Sequence, residues 1–437
     1  MLPATPTPMR WASMESDDER MHGLDALRAI AMLLVIVLHG AIPYVDLPLG
    51  RLPWAIRDSA SSRLITHLFW WLHAVLMPLF FLLAGCFAAR LLATRGRRGF
   101  LRHRARRLLV PALAGSVVLL PVTFAVFAGG WWLGGACTWN EIRRLKFQPP
   151  IQAELFGPAH LWFLEYLFLY CLLAWAVAEL ATLATRRRRS GALQHWSQWR
   201  ALTPAASVER RDREVSLPVR MLGCGLLTAL LVAAAPEVFI SHHNSFIPSP
   251  AGLLYYGVFF VFGGWLYRAP LHRFRRGGAA WLACALPLSL CAEAVVRAHP
   301  GGTLAIGARV LLALAVAAAA WLSIHGLLSL CASMCTQPRV ALRYLADASY
   351  WVYLIHLPIV AGLQIGLAQL PASPLLKCAA VSAIAAAVCL WSYTGWVRHT
   401  AIGALLDGHP AASPRRRQRV PVGPASVPVR RAERGWS

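Results

Sequence analysis

Long apolar segments with few or no charged residues recur along the whole chain. Ten of them approach or exceed the about 20 residues that a transmembrane helix needs. They cover residues 27–44, 64–92, 108–130, 159–183, 219–235, 251–267, 279–296, 304–333, 349–370 and 375–397. No stretch between them is long enough to bury a core of its own. The pattern predicts an all-α polytopic membrane protein, a single bundle of about ten transmembrane helices.

Composition and charge agree with this prediction and add the orientation. The chain has 437 residues, 57% of them hydrophobic and 14% charged, with a net charge of +24. In a soluble protein such a charge would suggest nucleic-acid binding, but the aromatic and Leu-rich content here is not that of a basic nucleic-acid module. With basic residues at span ends counted in the adjoining loops, 33 lie on one predicted side and 8 on the other. The positive-inside rule therefore predicts that both termini are cytoplasmic.

The segments outside the apolar spans are short, or basic and polar. We expect a cytoplasmic N-terminal segment at residues 1–23, a transmembrane domain at 24–397 and a disordered basic cytoplasmic tail at 398–437. A flexible basic cytoplasmic linker at about 184–218 interrupts the transmembrane domain. Acidic residues precede the first span, unlike the basic start of a signal peptide, so we expect this span to be retained. The ten cysteines lie mostly inside apolar runs and predict no metal site.

The first span carries two ionisable residues on one helix face. Arg28 and His39 are 11 residues apart, about three full turns, which separates them by about 16 Å along the axis. An ionisable side chain within a span costs about 2.5–3.5 kcal/mol on insertion scales, so each calls for a partner or a function. Two structural interpretations are open at this point. Arg28 can be an anchor at the inner interface, and His39 can make an interhelical hydrogen bond.

Four ionisable side chains share one predicted depth in the outer half of the membrane. His39 is about 7 Å from the outer end of its span, and Glu165 in the fourth span is about 9 Å deep. His73 in the second span and His160 near the surface end of the fourth belong to the same layer. If the helices bring these groups together, a carboxylate can orient an imidazole that removes a proton from a hydroxyl, as general-base catalysis requires.

Later spans also contain ionisable residues, among them Glu293, Arg309 and His356. Glu293 near the outer end of the seventh span and Arg309 near the outer start of the eighth share a layer, so we expect an ion pair between these antiparallel helices. His356 lies 7 residues into the ninth span from the inner side. Its position alone indicates a packing role. We retain His356, together with His73, His160 and Glu165, as a candidate for acceptor binding or for support of the reacting group.

A loop that contains a run of arginines leads into the third span. The sequence FLRHRARRLLVP at residues 100–111 contains Arg102, Arg104 and Arg107. One interpretation is a positive-inside anchor that faces lipid phosphates. The other is that several guanidiniums at the membrane entry bind a soluble polyphosphate, such as the nucleotide end of coenzyme A. Arg104 and Arg107 are three residues apart and would share a helix face.

Five motifs occur in a fixed order between residue 24 and about residue 400. They are the Arg-x10-His pair of Arg28 and His39, MPLFFLLAG at 77–85, Arg104-x-x-Arg107 with Pro111, HLWFL at 160–164 and ASYWVYLIH at 348–356. In this order they resemble the motifs of the membrane-bound acyltransferase 3 family. Among its branches, the chain is most similar to the glucan biosynthesis protein C branch, which modifies periplasmic glucans with succinyl groups.

The resemblance implies an enzyme that moves an acyl group, acetyl or succinyl, from cytoplasmic acyl-CoA to a hydroxyl of a periplasmic or cell-envelope carbohydrate. It implies a catalytic role for His39 with a supporting role for Arg28. It implies donor contacts for Arg102, Arg104 and Arg107. Acyl-CoA is then a co-substrate, with no permanently bound cofactor and no metal. The expected partners are the lipid bilayer, acyl-CoA and a carbohydrate acceptor, without nucleic acid, and the expected location is the bacterial cytoplasmic (inner) membrane.

Two other classes of protein are open on the sequence. A polytopic transporter or permease would also show ten spans and intramembrane charges, but its paired Gly/Pro interruptions in two related halves are not evident here. A structural or sensor membrane protein would leave the face of Arg28 and His39 without a role. Within the enzyme interpretation, the hydroxyl can attack the thioester directly or through an acyl-His39 intermediate, and the sequence does not choose between these routes.

Overall fold

The described part of the chain contains helices and no strands. The computed structural model describes residues 8–47, 53–149, 151–196, 216–240, 244–269, 274, 276–300, 303–335, 337 and 339–407. The α-helices are α1 (Pro8–Ala41), α2 (Arg63–Arg104), α3 (Val110–Leu133), α4 (Trp139–Arg144), α5 (Trp162–Trp196), α6 (Leu217–Ala234), α7 (Glu237–Ile240), α8 (Pro250–Leu266), α9 (Gly278–Ala298), α10 (Ile306–Met334), α11 (Val340–Leu367), α12 (Pro374–Ser392) and α13 (Ala401–Asp407). Short 3-10 helices cover Ile42–Tyr44, Gln152–Glu154 and Ala159–Leu161, and π-helices cover Ala105–Leu109 and Tyr393–Val397.

The long helices coincide with the apolar segments of the sequence. Eight helical stretches are long and apolar enough to cross a bilayer, and one of them, Arg63–Leu133, contains two of the predicted segments. The shorter apolar helix α8 covers a further predicted segment. The prediction of an all-helical polytopic membrane protein is therefore confirmed. The exact count of ten crossings and the cytoplasmic side of both termini stay predictions.

Helix structure extends into segments that were predicted to lie outside the transmembrane spans. The first helix begins at Pro8, so most of the predicted N-terminal segment at 1–23 belongs to α1. Likewise, α5 continues to Trp196, into the predicted linker at 184–218. The start of the predicted tail forms α13. The rest of the linker up to residue 215, and the tail from residue 408, lie outside the described residues.

Helix α1 occupies the centre of the bundle. It packs against α2, α10, α11 and α12. Its interior face carries leucine, isoleucine and alanine side chains that are almost fully buried, among them Leu27, Ala31 and Ile36. Small residues such as alanine allow neighbouring helix backbones to approach closely, which is how helices associate inside a bilayer. Residues on α1 are therefore surrounded by protein on several sides.

The arginine-rich stretch between the second and third spans is helical, not a loop as the sequence analysis expected. Helix α2 runs through to Arg104, and a π-helix at Ala105–Leu109 joins it directly to α3. The interruption lies at Gly96, whose φ of 65° and ψ of 178° are accessible to glycine without a steric penalty. Arginine has a good helix propensity, so the segment after Gly96 continues as helix to the membrane entry.

Helices α2 and α8 cross at two glycines. A Cβ atom on Gly85 would lie 1.9 Å from the Phe260 carbonyl oxygen, and one on Gly263 would lie 1.9 Å from the Leu82 carbonyl oxygen. Both distances are far shorter than any van der Waals contact, and the atoms they would meet belong to the backbone. The two helices can therefore keep this distance only because both positions lack a side chain.

A cluster of charged residues lies near Tyr44, just after the C-terminal end of α1. Arg297 binds Asp46 through both terminal nitrogens, at 2.9 and 3.2 Å, and binds Glu293 at 2.8 Å. Glu293 also contacts the His67 ring. Hydrogen bonds from Arg297 hold the pKa of the Asp46 carboxyl below its usual value.

The predicted ion pair between Glu293 and Arg309 is wrong. Glu293 is satisfied one helical turn away, by Arg297 on the same helix, and across the interface by His67. Arg309 is exposed near the start of α10. The two residues share a depth, as expected, but a partner at i+4 on the same helix needs no particular alignment of two helices.

A buried ion pair joins the loop after α1 to α12. Lys377 Nζ lies 2.7 Å from Asp58 Oδ2, and the exposed fractions of the two side chains are 4% and 2%. The lysine also donates to the Ala368 carbonyl oxygen at 3.2 Å. Breaking such a pair leaves an uncompensated charge inside the protein, so each partner fixes the other.

We predict that Gly263→Ala destabilises the protein by about 1–3 kcal/mol, the usual cost of overpacking, because the new methyl group would displace α8 from α2. The measurement is thermal unfolding of the purified protein in detergent. Gly223→Ala in α6 is the matched control, because a Cβ there meets nothing within 4 Å. The control should raise stability by about 0.5–1 kcal/mol through helix propensity. Equal effects of the two substitutions would contradict the close crossing.

Candidate active site

A cavity of about 1400 Å³ lies within the bundle. Arg28 and His39, both on α1, belong to its lining, so it extends over at least three helical turns, about 16 Å. We call the end lined by Arg104 and Arg107 the arginine end, and the end lined by Trp54 and neighbouring aromatic side chains the aromatic end. A cavity of this length, lined by apolar side chains and by a few charged and polar ones, is the candidate site for ligands.

Arg28 faces the interior of the bundle and not the lipid. Its guanidinium donates to the Ala346 carbonyl oxygen on α11 at 2.9 Å and lies 3.3 Å from Asp25 on the preceding turn. The guanidinium carbon is 5.5 Å from the centre of the Phe87 ring on α2, a cation–π distance. Its Nε atom is buried without a hydrogen-bond partner. These contacts favour a role inside the cavity over the alternative of an interfacial anchor.

Three histidine rings meet in the middle of the cavity. The rings of His39 and His356 have centroids 5.0 Å apart, and His356 Nε2 lies 3.2 Å from His39 Nδ1. The rings of His160 and His356 have centroids 5.5 Å apart and are nearly perpendicular. All three residues line the cavity. The structure therefore brings together His39, His160 and His356, from three helical elements widely separated in sequence.

A proline positions the ring of His160. Pro358 lies inside α11 and has no N–H group, so the carbonyl of Leu354, four residues earlier, loses its helical donor. His160 Nε2 lies 2.8 Å from this carbonyl oxygen and supplies a replacement. The Tyr353 hydroxyl in turn donates to the His160 carbonyl oxygen at 2.6 Å. Because the ring donates through Nε2, its Nδ1 atom is an acceptor, and it is buried without a partner.

A second proline acts in the same way on the backbone of His39. Pro43 is four residues after His39 and cannot donate to the His39 carbonyl oxygen. The Gln364 amide nitrogen donates to this oxygen at 2.8 Å and to the Gly40 carbonyl oxygen at 3.2 Å. Gln364 Oε1 accepts from Trp54 Nε1 at 2.8 Å. The Trp54 ring stacks on the His39 ring, with centroids 5.9 Å apart and planes 13° apart.

Gln364 and Trp54 were not predicted from the sequence. A signal for Gln364 exists, because an amide side chain within an apolar span must find a polar partner in the same way as a charged one. Its exposed fraction is 1%. Trp54 lies in the connection between α1 and α2, and nothing in the local sequence distinguishes it from an interfacial tryptophan.

The arginine end contains two of the three arginines predicted to bind the donor. Arg104 and Arg107 line the cavity, and Arg104 Nε is buried without a hydrogen-bond partner. The Tyr350 hydroxyl on α11 donates to the Arg107 carbonyl oxygen and ties the π-helix to α11. Arg102, on the same helical segment, is exposed and lies outside the lining.

Four arginines that were not predicted to bind the donor also line the cavity. Arg90 and Arg95 lie on α2, and Arg339 and Arg343 lie at the start of α11. A second basic segment therefore faces the one predicted from the motif, and both surround the same opening. Several guanidiniums around one opening favour binding of a multiply charged anion.

Two of the predicted layer residues do not join the histidine cluster. His73 lines the cavity, but its Nε2 lies 2.8 Å from the Phe239 carbonyl oxygen and its ring stacks on Phe69. Glu165 lies outside the lining, and its Oε2 atom is buried without a hydrogen-bond partner. The predicted orientation of an imidazole by Glu165 is therefore not observed. Three of the four layer residues therefore line the same cavity, and Glu165 does not.

The fold and the cavity define a polytopic helical membrane protein with imidazole and guanidinium groups buried at its centre. A family model described as an acyltransferase domain matches residues 21–394. The chain belongs to the acyltransferase 3 family, and the prediction that it is an enzyme that transfers acyl groups is confirmed. Comparison with curated proteins and with solved structures gives no match.

We predict that Pro358→Ala makes the protein more stable but less active. Proline inside a helix costs about 3 kcal/mol relative to alanine, so the melting temperature should rise. The N–H gained at residue 358 would bind the Leu354 carbonyl, straighten α11 and withdraw that oxygen from His160, and turnover should fall about tenfold or more. Thermal unfolding and acyl transfer by the same sample measure both effects.

Pro287→Ala is the matched control, because Pro287 lies inside α9 and outside the cavity lining. This substitution should raise the melting temperature and leave turnover unchanged. Full activity of Pro358→Ala would show that the carbonyl released by the proline does not position His160.

Proposed function

We propose that this membrane acyltransferase moves an acyl group from acyl-CoA to a hydroxyl of a periplasmic or cell-envelope carbohydrate. The observation that carries the proposal is that one cavity is lined by arginines at one end and by His39 in its interior. Acyl-CoA combines a polyphosphate head with a long, thin arm that ends in the thioester. An elongated cavity with cationic groups at one end and a base further along fits both parts of this molecule.

The donor would bind with its phosphates at the arginine end. Arg104 and Arg107 provide guanidiniums from the π-helix region, and Arg339 and Arg343 provide them from α11. Guanidiniums bind phosphate through paired N–H groups and remain charged at all relevant pH values. The pantetheine arm would then extend along α1 past Arg28 towards the histidines, about 16 Å further along the axis.

The chemical step would be direct attack by the acceptor on the thioester. His39 takes the hydroxyl proton while the hydroxyl oxygen bonds to the thioester carbonyl carbon, and the carbon–sulfur bond breaks. The proton on His39 then passes to the departing thiolate, which leaves as the free thiol of coenzyme A. Proximity and general-base catalysis together supply the acceleration. In the alternative two-step route, His39 would first carry the acyl group itself.

The carbohydrate would enter from the aromatic end. Trp54, Phe127 and Trp131 line this part of the cavity, and the rings of Trp54 and Phe127 are in edge-to-face contact with centroids 5.2 Å apart. With the N terminus in the cytoplasm, this end faces the outer side of a bacterial cytoplasmic membrane, and the arginine end faces the cytoplasm. A glucan acceptor and a succinyl or acetyl donor are the substrates that the motif resemblance to the glucan biosynthesis protein C branch favours.

We predict that His39→Gln abolishes transfer while the protein remains folded. Loss of a general base lowers the rate about 10²–10⁴-fold. The measurement is transfer of labelled acetyl or succinyl groups from acyl-CoA to a periplasmic glucan, with purified protein in oriented, sealed vesicles and donor on the side of the arginine end.

His325→Gln is the matched control for this measurement. His325 is also a histidine within an apolar helix, but its ring packs against Phe274 and Trp281, and it lies outside the cavity lining. The control should transfer at the wild-type rate. Full turnover by monodisperse His39→Gln would remove His39 from the mechanism, and product formed only when both substrates share the donor side would reject transfer across the membrane.

We predict that the double substitution of Arg104 and Arg107 by glutamine weakens acyl-CoA binding about 100-fold or more. Each charge-assisted hydrogen bond contributes about 1.5–3 kcal/mol, and part of the phosphate contact would remain with Arg339 and Arg343. Binding is measured by titration in detergent at low salt, where the interaction with phosphate is strongest.

Arg102→Gln is the control for charge and topology, because Arg102 belongs to the same basic segment but lies outside the cavity lining. It should leave donor affinity within about twofold of the wild type. Similar losses for Arg102→Gln and for the double substitution would indicate general attraction of an anion to a basic surface.

A further inference from the structure

The hydrogen bonds of the three histidine rings indicate which nitrogen of each ring carries the hydrogen. Each ring contacts a backbone carbonyl, and a carbonyl oxygen can only accept a hydrogen bond. The ring nitrogen in such a contact must therefore carry the hydrogen. In a neutral imidazole only one nitrogen carries hydrogen, so the other nitrogen holds the lone pair. The carbonyl contacts thus determine which nitrogen of each ring can act as a base.

The carbonyls of α11 fix the tautomer of His356. His356 Nδ1 lies 2.8 Å from the Tyr353 carbonyl oxygen and 3.2 Å from that of Val352. Both contacts require hydrogen on Nδ1. The lone pair of the ring is then on Nε2, the atom that lies 3.2 Å from His39 Nδ1. His356 is fully buried and presents an acceptor to its neighbour.

The same reasoning fixes the tautomer of His39. His39 Nδ1 lies 3.0 Å from the Val35 carbonyl oxygen and 3.2 Å from His356 Nε2. Both neighbours are acceptors, so Nδ1 carries the hydrogen and shares it between them. The lone pair of His39 is consequently on Nε2. This is the nitrogen that takes a proton if His39 is the general base.

We propose that His356 is a positioning residue that, together with the Val35 carbonyl, holds His39 in the tautomer with a basic Nε2. It accepts the Nδ1–H hydrogen bond as His39 becomes charged. This inference rests on the proposed role of His39 as the general base. When the acceptor hydroxyl gives its proton to His39 Nε2, the ring becomes an imidazolium, and its Nδ1–H becomes a stronger donor to His356 Nε2. The hydrogen stays on His39, and the proton on Nε2 later goes to the departing thiolate.

A neutral ring suits this task inside a membrane. A carboxylate beside His39 would orient it equally well, but it would add a charge whose burial is costly. The imidazole of His356 accepts the hydrogen bond without a formal charge, and its own orientation is held by two carbonyls of its helix. The Trp54 ring stacks on the His39 ring and limits its rotation. His39 is thus held both by hydrogen bonds and by packing.

The test compares two substitutions of His356. His356→Leu fills the space of the ring but removes the acceptor. His356→Gln places an amide oxygen near the position of Nε2 and can still accept the hydrogen bond from His39 Nδ1. We expect His356→Leu to lower kcat about 10²-fold or more, as for a base held in the wrong tautomer or orientation, with the KM for acyl-CoA within about twofold of the wild type. We expect His356→Gln to recover about tenfold of that loss.

A spectroscopic measurement reports the tautomer directly. In protein with ¹⁵N-labelled histidine, the imidazole nitrogens that carry hydrogen resonate separately from those that do not, and His39→Gln identifies the signals of His39. We expect His39 Nδ1 to be the protonated nitrogen in the wild type and in His356→Gln. In His356→Leu only the Val35 carbonyl is left to accept from Nδ1, so we expect a smaller excess of this tautomer than in the wild type.

His299→Leu is the matched control. His299 Nδ1 also bonds to a carbonyl four residues earlier, that of Val295 at 2.8 Å, but the residue lies at the end of α9 outside the cavity lining. Its replacement should leave kcat, KM and the His39 signals unchanged. A kcat for His356→Leu within threefold of the wild type, or wild-type His39 protonated on Nε2, would overturn the proposal.

Two further outcomes are decided by the same set of variants. If His356→Leu does not fold, the His39 signals of the wild type and the activity of His356→Gln test the role of His356. An inactive His356→Gln with an unaltered His39 tautomer then counts against that role. An active His39→Gln would reject the general base itself and with it the proposed mechanism. An inactive His39→Gln with a fully active His356→Leu would reject only the role of His356.

Discussion

A backbone carbonyl inside a bilayer has no water to bind, so a carbonyl that loses its helical donor must find another one. Pro43 and Pro358 each release one such carbonyl at the level of the site. The Gln364 amide and the His160 ring supply the missing donors. These side chains are therefore held in place by the backbone they satisfy. The cavity can keep polar groups in fixed orientations because each one completes a hydrogen bond that the fold requires.

Much of the fold follows from hydropathy, and the exceptions have local causes. A long apolar run must be a helix in a membrane, so the positions of the long helices were predictable. The run of arginines was expected to form a loop because its charges exclude it from the bilayer. Charge, however, says nothing about helix propensity, and the segment is helical up to the π-helix at Ala105–Leu109. Only Gly96, with its positive φ, marks the real change of direction.

The candidate site was predictable to the extent that depth and helix periodicity define it. Arg28 and His39 share a face on one helix, a relation that periodicity fixes, and both line the cavity. Contacts between residues on different helices were harder to predict. Glu165 lies outside the cavity lining, and Glu293 binds an arginine on its own helix. The pairing of His39 with a residue 317 positions later depends on which helices are neighbours, and that information is absent from a single sequence.

The central position of α1 has a consequence for how the protein is made. Arg28 binds a carbonyl 318 residues further along the chain, and the carbonyl of His39 binds a side chain 325 residues further along. At about 5–20 residues per second, translation delivers these partners about 15–60 s after α1 itself. Helix α1 is thus made well before these partners of its polar groups. Throughout that interval the Arg28 guanidinium has Asp25 on its own helix, whereas the His39 carbonyl still lacks the Gln364 donor that it uses in the folded protein.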